Sequence, residues 1–193
     1  MIKYGQTVSH MDSCLSGALN SPRARAGRGC WAILGTVTDD AERVARYFED
    51  YSPGLVVDCG SFTLSEAEII AFARQYDPQP FHVDPVAAKA GPFGGLIASG
   101  WHTTAMMMRH LVDYYVSPES SIGSPGVDDI RWPRPVRPGD RLRVRATVAE
   151  ARRSASKPDR GIIKSLAELI NQDGDVAMKV TANNFILLRD PAA

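Results

Sequence analysis

The pattern of hydrophobic and polar positions changes after residue 118. Before that point, residues 97–115 carry apolar side chains at spacings of three and four, which predicts a long central helix. More than one of its faces is apolar, so we expect other parts of the protein to cover this helix on most sides. After residue 118 the chain shows short runs typical of strands. These runs lie at residues 126–132, 140–150, 162–171 and 175–188.

Two further elements are predicted before the central helix. Residues 55–62 are rich in Val and aromatic side chains, which favours a strand. Ser65 followed by Glu68 is a capping-box signature, so a short helix is expected over residues 65–75. One long helix, one earlier strand and four later strands indicate an α+β fold, in which a curved antiparallel sheet wraps around the helix.

The first part of the chain differs in character from the rest. Residues 1–50 are predicted to form an N-terminal extension, partly irregular, that precedes one domain at residues 51–193. Residues 1–38 are poor in acidic side chains and lack clear periodicity, which is consistent with a transit peptide, with an appended extension or with a start site upstream of the real domain. Residues 39–49 are predicted to form a short helix with an acidic N-cap.

Composition excludes several classes of protein. A chain of 193 residues with 44% hydrophobic and 23% charged side chains is typical of one soluble globular domain. The formal net charge is zero, so no overall attraction to nucleic acid or to an anionic membrane is expected. No run reaches the roughly 18 apolar residues of a membrane helix. Neither nucleic acid nor membrane is therefore predicted as a partner.

Cysteine usage indicates the compartment. The three cysteines, Cys14, Cys30 and Cys59, are odd in number and widely spaced, and they form no zinc-binding spacing. We interpret them as free thiols of a reducing environment and predict a cytoplasmic protein.

A polar loop directly before the central helix carries the candidate chemistry. Asp77, His82 and Asp84 lie within eight residues of one another. Three prolines restrict the backbone that presents them: Pro78, Pro80 and Pro85. A carboxylate and an imidazole in fixed geometry suit general acid/base catalysis, but a hydrogen-bonded surface pair has the same spacing. No fourth ligand follows at a metal-binding spacing, so no metal site is predicted, and Asp84 is expected to cap the turn after it.

Three motifs in one order resemble the MaoC-like dehydratases, a family that includes the (R)-specific enoyl-CoA hydratases and has the hot-dog fold. Residues 77–82, DPQPFH, are similar to the D-x-N-P-x-H pattern of the catalytic loop. Residues 97–101, IASGW, resemble the start of the family's central helix, and residues 134–140, RPVRPGD, resemble its P-V-R-x-G-D turn. The resemblance covers about residues 50–190 and implies a single hot-dog domain.

The same resemblance implies a hydro-lyase that hydrates 2-enoyl-CoA, or in reverse dehydrates (R)-3-hydroxyacyl-CoA, without a cofactor. Asp77 and His82 would hold one water between them as the acid and base. The backbone N–H of Gly100 would form the oxyanion hole at the start of the central helix. Substrate contacts are expected from the remaining positions of these motifs: Ser99, Trp101, Gln79 and Phe81.

Partners and alternatives follow from this comparison with the family. The substrate would be an acyl-CoA or acyl-carrier-protein thioester, and the chain would form a homodimer or a dimer of dimers. Three positions depart from the family pattern: Gln79 replaces Asn, Ser99 replaces His and Tyr76 stands where Gly is frequent. The changes at Gln79 and Ser99 keep open a non-catalytic acyl-thioester binding or assembly subunit. A hot-dog thioesterase is the alternative among enzymes.

Two groups of side chains have more than one interpretation. Trp101 and the run Met106–Met108 are compatible with core packing and with an acyl-chain tunnel. Arginines cluster between residues 131 and 145, where they suit either the phosphates of coenzyme A or a solvated outer face. The members of this cluster are Arg131, Arg134, Arg137, Arg141, Arg143 and Arg145.

Overall fold

A computed structural model describes residues 45–190 of the chain. These residues contain four helices and five strands, preceded by a single 3-10 turn at Phe48–Asp50. The helices are α1 (Glu66–Tyr76), α2 (Pro80–Val83), α3 (Pro85–Ala90) and α4 (Gly100–Tyr114). The strands are β1 (Val56–Thr63), β2 (Gly126–Arg131), β3 (Arg141–Arg153), β4 (Arg160–Ile170) and β5 (Val176–Leu187).

The five strands form one antiparallel sheet in the order β1-β3-β4-β5-β2, with helix α4 packed against β1 and β3. Strand β3 shows why the strands were predictable, because buried Leu142, Val144 and Ala146 alternate with arginines along it. The alternation places one face on the core and the other in solvent. The predicted α+β architecture is confirmed.

Helix α4 begins at Gly100, three residues after the position predicted from hydrophobicity. Ile97 and Ala98 are not helical, because their N–H groups donate to the carbonyls of Phe81 and Val136. Ser99 then caps the helix, its Oγ accepting a hydrogen bond from the N–H of Trp101. The helix start is thereby connected to the loop with Asp77 and His82 on one side and to the Val136 segment on the other.

One face of α4 is exposed in the single chain. Met106 and Met107 are buried in the core, but Trp101 and Met108 are 60% and 48% exposed. The hydrophobic pattern predicted a helix covered on most sides, and the structure differs from that prediction on the face with Trp101 and Met108. An apolar periodic pattern records which faces avoid water but cannot tell what covers them.

Helix α1 delivers Asp77 to the site. The predicted capping box is present, with the Oγ of Ser65 accepting from the N–H of Glu68 and the Glu68 carboxylate accepting from the N–H of Ser65. Phe72 stacks on the imidazole of His102 with 4.4 Å between ring centroids, which ties α1 to α4. Asp77 is the C-cap residue of α1, and its N–H donates to the carbonyl of Ala73.

The predicted helix over residues 39–49 is not formed in its described part. The chain there makes only the 3-10 turn at Phe48–Asp50, and residues 39–44 lie outside the described residues. The aromatic ring of Phe48 packs directly on Gly161 of β4, where an added Cβ would lie 2.0 Å from it. No helix within residues 45–190 is both long and apolar enough to cross a membrane.

Candidate functional site

Asp77 and His82 come together as their spacing suggested. Pro80 occupies the first position of the one-turn helix α2, a position that proline favours, and this turn directs His82 inward. The Nε2 of His82 lies 3.4 Å from the Oδ2 of Asp77, and both side chains are largely shielded from solvent, with exposures of 6% and 19%. The two groups therefore face each other across a gap slightly longer than a strong hydrogen bond.

A backbone contact sets the tautomer of the His82 imidazole. The Nδ1 of His82 lies 2.8 Å from the carbonyl oxygen of Ile97. A carbonyl only accepts, so Nδ1 carries the proton and donates it. In the neutral ring Nε2 is then an acceptor, directed toward the carboxylate of Asp77.

Two polar neighbours hold Asp77 in its ionised form. The hydroxyl of Ser99 donates to Oδ2 at 2.7 Å, and the side-chain amide of Gln79 donates to Oδ1 at 2.7 Å. Burial by itself would raise the pKa of Asp77, but these two hydrogen bonds, together with the charge that His82 carries when its ring is protonated, outweigh it, and the pKa is lowered. Asp77 is consequently an acceptor at neutral pH.

A cavity of about 390 Å³ opens on this pair. The predicted site residues Asp77, Phe81, His82, Gly100 and Trp101 all line it. Ser99 and Gln79 do not line it but lie behind Asp77, to which both donate. Five of the predicted residues thus line one cavity. The other two, Ser99 and Gln79, hold the carboxylate of Asp77 by hydrogen bonds.

Trp132 is a cavity residue that sequence reasoning missed. Its indole N–H donates to the carbonyl oxygen of Gly100 at 3.1 Å, and its ring lies so close that a Cβ on Gly100 would be 2.7 Å from it. It also makes an edge contact with Trp101, with 5.6 Å between ring centroids. Trp132 directly follows β2 and lies two residues before the motif at residues 134–140. Its position next to this motif was the only feature of the sequence that could have indicated a place in the site.

The first turn of α4 is open at its amino-terminal end. Within residues 45–190 the N–H of Gly100 has no hydrogen-bond partner. The carbonyl of the same residue accepts from the hydroxyls of Thr103 and Thr104 as well as from Trp132. Gly100 lines the cavity that contains Asp77 and His82, so the positive end of the helix dipole lies at the wall of this cavity.

The arginines do not act as one cluster. Arg134 lines the cavity with Asp77 and pairs with Asp175 at 3.1 Å. Arg141 and Arg143 line a different, polar cavity of about 600 Å³ beside β1. Arg145 pairs with Glu168 on the neighbouring strand at 2.8 Å. The group is therefore divided among different surroundings, and Arg134 is the member at the Asp77 cavity.

The remaining candidates are structural in the described region. Asp84 caps α3 as predicted, its carboxylate accepting from the N–H groups of Val86 and Ala87. Between residues 45 and 190, no group of three His, Cys, Asp or Glu side chains could hold a metal ion. His102, His110 and Cys59 are all buried in the core, and burial raises the pKa of the Cys59 thiol to about 12. Cys14 and Cys30 lie outside the described residues.

The geometry agrees with comparisons to known proteins. Residues 52–167 match the model of a family described as MaoC like domain, which is more than half of the chain. The chain belongs to this family. A crystal structure of the MaoC-like dehydratase from Rhodospirillum rubrum superposes with a TM-score of 0.71 at 40% identity, covering 76% of this chain and 99% of that one. The predicted hot-dog fold is confirmed.

Two further relatives are similar to this chain over a smaller part or at lower identity. The 3-hydroxyacyl-thioester dehydratase Z of Mycobacterium tuberculosis is 35% identical over 88 residues, which are 45% of this chain and 58% of that protein. The R-hydratase PhaJ1 of Pseudomonas aeruginosa has a TM-score of 0.59 at 21% identity, covering 75% of this chain and 86% of that one. At that identity the second likeness shows the fold alone.

Proposed function

We propose that the chain is a hydro-lyase that adds water reversibly to a 2-enoyl thioester and, in reverse, dehydrates an (R)-3-hydroxyacyl thioester. The observation that carries the proposal is the pair of facing groups on one apolar cavity, the ionised carboxylate of Asp77 and the Nε2 of His82. Two acceptors 3.4 Å apart are suited to receive the two hydrogens of a single water. The names of the relatives support the same reaction class.

The roles of the two groups follow from their basicity. Because the pKa of Asp77 is lowered, its carboxylate is the weaker base, and it orients the water. His82 takes one proton from the water while the water oxygen bonds to C3 of the substrate. The imidazolium that results is stabilised by the adjacent carboxylate and returns the proton to C2. The net change is the addition of H to C2 and OH to C3.

Charge that develops on the thioester oxygen needs a separate donor. The N–H of Gly100 has no partner within residues 45–190 and lies at the positive end of α4. In the proposal it donates to this oxygen, and the helix dipole adds to the stabilisation. Removal of one such donor in other enzymes costs roughly 10²- to 10³-fold in rate.

The carrier, assembly and location are parts of the same proposal. Arg134 at the cavity is suited to a phosphate of coenzyme A or of the phosphopantetheine arm of an acyl carrier protein. A homodimer or dimer of dimers is expected, since the exposed apolar face of α4 lies beside the cavity. A role in fatty acid metabolism and a cytoplasmic location remain predictions.

One assay tests the reaction and its residues. Crotonyl-CoA is mixed with the purified protein, and the loss of its double-bond absorbance is followed together with the release of free thiol. The wild type is expected to lose absorbance without thiol release. Asp77→Asn and His82→Ala are each expected to lower the rate by about 10²-fold or more, since each removes an acid/base group.

Asp84→Asn is the matched control for the Asp77 variant. Asp84 lies in the same loop but caps α3, and Asn is an equally good cap, so the hydration rate is expected to be unchanged. Release of thiol would indicate a thioesterase instead. Binding of acyl-CoA esters with neither reaction would identify a non-catalytic subunit. Wild-type rates in both site variants would contradict the assignment of Asp77 and His82.

A further inference from the structure

The turn at residues 134–140 contains an arginine that the reaction does not use. The guanidinium of Arg137 donates through Nη2 to the carbonyl oxygen of Phe93 at 2.6 Å, across 44 residues of chain. Its other terminal nitrogen lies 3.0 Å from the position that a Cβ on Gly95 would occupy. The backbone of the turn is fixed in addition, because the N–H of Arg137 donates to the carboxylate of Asp140 at 2.7 Å.

The segment that Arg137 contacts forms one wall of the Asp77 cavity. Phe93 lines this cavity, and its ring meets Phe81 at 5.2 Å between centroids. Phe81 in turn meets the imidazole of His82 at 4.5 Å. Ring contacts therefore connect Phe93 through Phe81 to His82, the proposed base.

The backbone around Phe93 has little regular structure to hold it in place. Residues 91–95 form no helix or strand and contain three glycines, of which Gly94 has a φ of +64°. Within the segment, the N–H of Gly94 donates to the carbonyl of Gly91 at 3.1 Å. Such a segment needs an external contact to fix its position, and Arg137 provides one through the hydrogen bond from its Nη2 to the carbonyl of Phe93.

We propose that Arg137 is a positioning residue that holds the Phe93 wall in place and so controls how the acyl thioester fits into the cavity. The inference rests on the proposed function for the identity of the ligand. Its geometric part, that Arg137 holds the segment around Phe93 in place, does not depend on that function. Arg137 is exposed and does not line the cavity itself, so it acts through Phe93 and not on the reacting atoms. The chemical step at Asp77 and His82 is expected to proceed as before once substrate is bound.

Hydrogen exchange of the free protein tests the geometric part without any substrate. The amides of Gly94 and Ile97 are hydrogen-bonded, so their exchange is measurable in peptides that span residues 91–98. Arg137→Met keeps the length of the side chain but removes its donors, and it is expected to speed this exchange by about tenfold. Arg137→Lys retains a charged donor group, so its exchange rate is expected to lie between those of the wild type and Arg137→Met. Arg141→Met is the matched control and is expected to have no effect, because Arg141 lines the other cavity.

Kinetics with crotonyl-CoA test the effect on substrate fit. Loss of this charge-assisted hydrogen bond in Arg137→Met is expected to raise KM about fivefold and to leave kcat within about twofold, because the acid/base pair is untouched. If Arg137 acts through the ring of Phe93, the fivefold effect is expected to disappear in a Phe93→Ala background. Such non-additivity identifies coupling between the two residues.

The outcomes separate this inference from the proposed function. Unchanged exchange of the 91–98 peptides in Arg137→Met overturns the inference, whatever the activity of the protein. A KM effect that persists in full in the Phe93→Ala background overturns it as well, since Arg137 would then act by another route. If the wild type hydrates no enoyl-CoA, the proposed function fails, and faster exchange in Arg137→Met alone still supports the positioning role.

Discussion

Asp77 is held by side chains from three separate elements. Gln79 follows it in the loop, His82 lies on α2, and Ser99 reaches it from the cap of α4, 22 residues away. Ser99 accepts from the N–H of Trp101 and donates to Asp77 at the same time. One hydroxyl therefore links the start of the central helix to the ionised state of the proposed acid/base pair.

Ser99→Ala is expected to change the pH dependence of hydration. Without the hydroxyl the pKa of Asp77 rises toward its ordinary value, because one of the hydrogen bonds that lowers it is lost. Hydration needs ionised Asp77 as well as an unprotonated Nε2 on His82, so only the part of the acid limb of the kcat/KM profile that reports Asp77, at the lowest pH, is expected to move to higher pH. Stability is expected to fall by about 1 kcal/mol from the lost N-cap.

Ser65→Ala is the control for this variant. Ser65 caps α1 in the same way but is distant from the cavity lining, so the variant is expected to lose similar stability without any movement of the acid limb. A pH profile of Ser99→Ala that superposes on the wild type would contradict the role of Ser99. The sequence marked this position as a departure from the family pattern and as an expected substrate contact. Its hydrogen bond to Asp77 depends on the packing of α4 beside the loop.

At the scale of elements, the start of α4 and the end of β2 meet at Gly100. The ring of Trp132 covers the Cα of this glycine and its indole N–H binds the glycine carbonyl. A side chain at position 100 would therefore clash with the ring of Trp132, and in the proposed function it would also obstruct the substrate. The contact also joins the helix that carries the proposed oxyanion hole to the edge of the sheet.

Gly100→Ala is expected to lower both stability and activity. The new Cβ would lie 2.7 Å from the indole ring, so Trp132 must move, and overpacking of this kind costs about 1–3 kcal/mol. Thermal unfolding and the rate of crotonyl-CoA hydration check the two effects. Trp132→Leu in the same background is expected to recover most of the stability, since it removes the clash.

Gly91→Ala serves as the comparison. Its nearest neighbours would lie at 3.5 Å, an ordinary contact, so little change in either quantity is expected. If Gly100→Ala and Gly91→Ala behaved alike, the contact between Trp132 and Gly100 would have no energetic consequence.

At the scale of the whole molecule, an apolar surface is left uncovered in the single chain. Met108 on α4 is 48% exposed and Val127 on the edge strand β2 is 57% exposed, and both line an apolar groove of about 210 Å³. Trp101 and Trp132 are exposed beside the neighbouring cavity. Large apolar side chains concentrated in this way are typical of a protein interface, and a second copy of the chain is the partner that the proposal requires.

Met108→Glu is expected to convert a dimer into a monomer. A carboxylate placed in the apolar groove must remain solvated, which opposes burial of this face against a second chain. Sedimentation analysis is expected to give two or four times the chain mass of 21.0 kDa for the wild type and half that mass for the variant.

Val86→Glu is the control for the same change of charge. Val86 on α3 is 81% exposed but lies outside the groove, so this variant is expected to remain dimeric. A wild type that sediments as a monomer would contradict the assembly. If Met108→Glu remained dimeric, the interface would lie on another surface.

Most of the local structure, and the proximity of Asp77 and His82, could be predicted from the sequence alone. The alternation along β3, the capping box at Ser65 and the prolines around His82 each act on neighbours within a few residues, so they can be recognised in a linear pattern. The Asp77 and His82 spacing belongs to the same class, because one turn of helix brings the two side chains together.

The residues that support and cover this pair became visible only in the folded protein. Trp132 lies 32 residues from Gly100, Ser99 lies 22 residues from Asp77, and Arg134 rather than Arg141 lines the cavity. The exposure of one face of α4 could not be predicted either, because a hydrophobic pattern shows which positions are apolar but not which residues pack against them. These contacts depend on how the helix and the sheet pack in space, and chain positions that far apart do not constrain one another until the chain has folded.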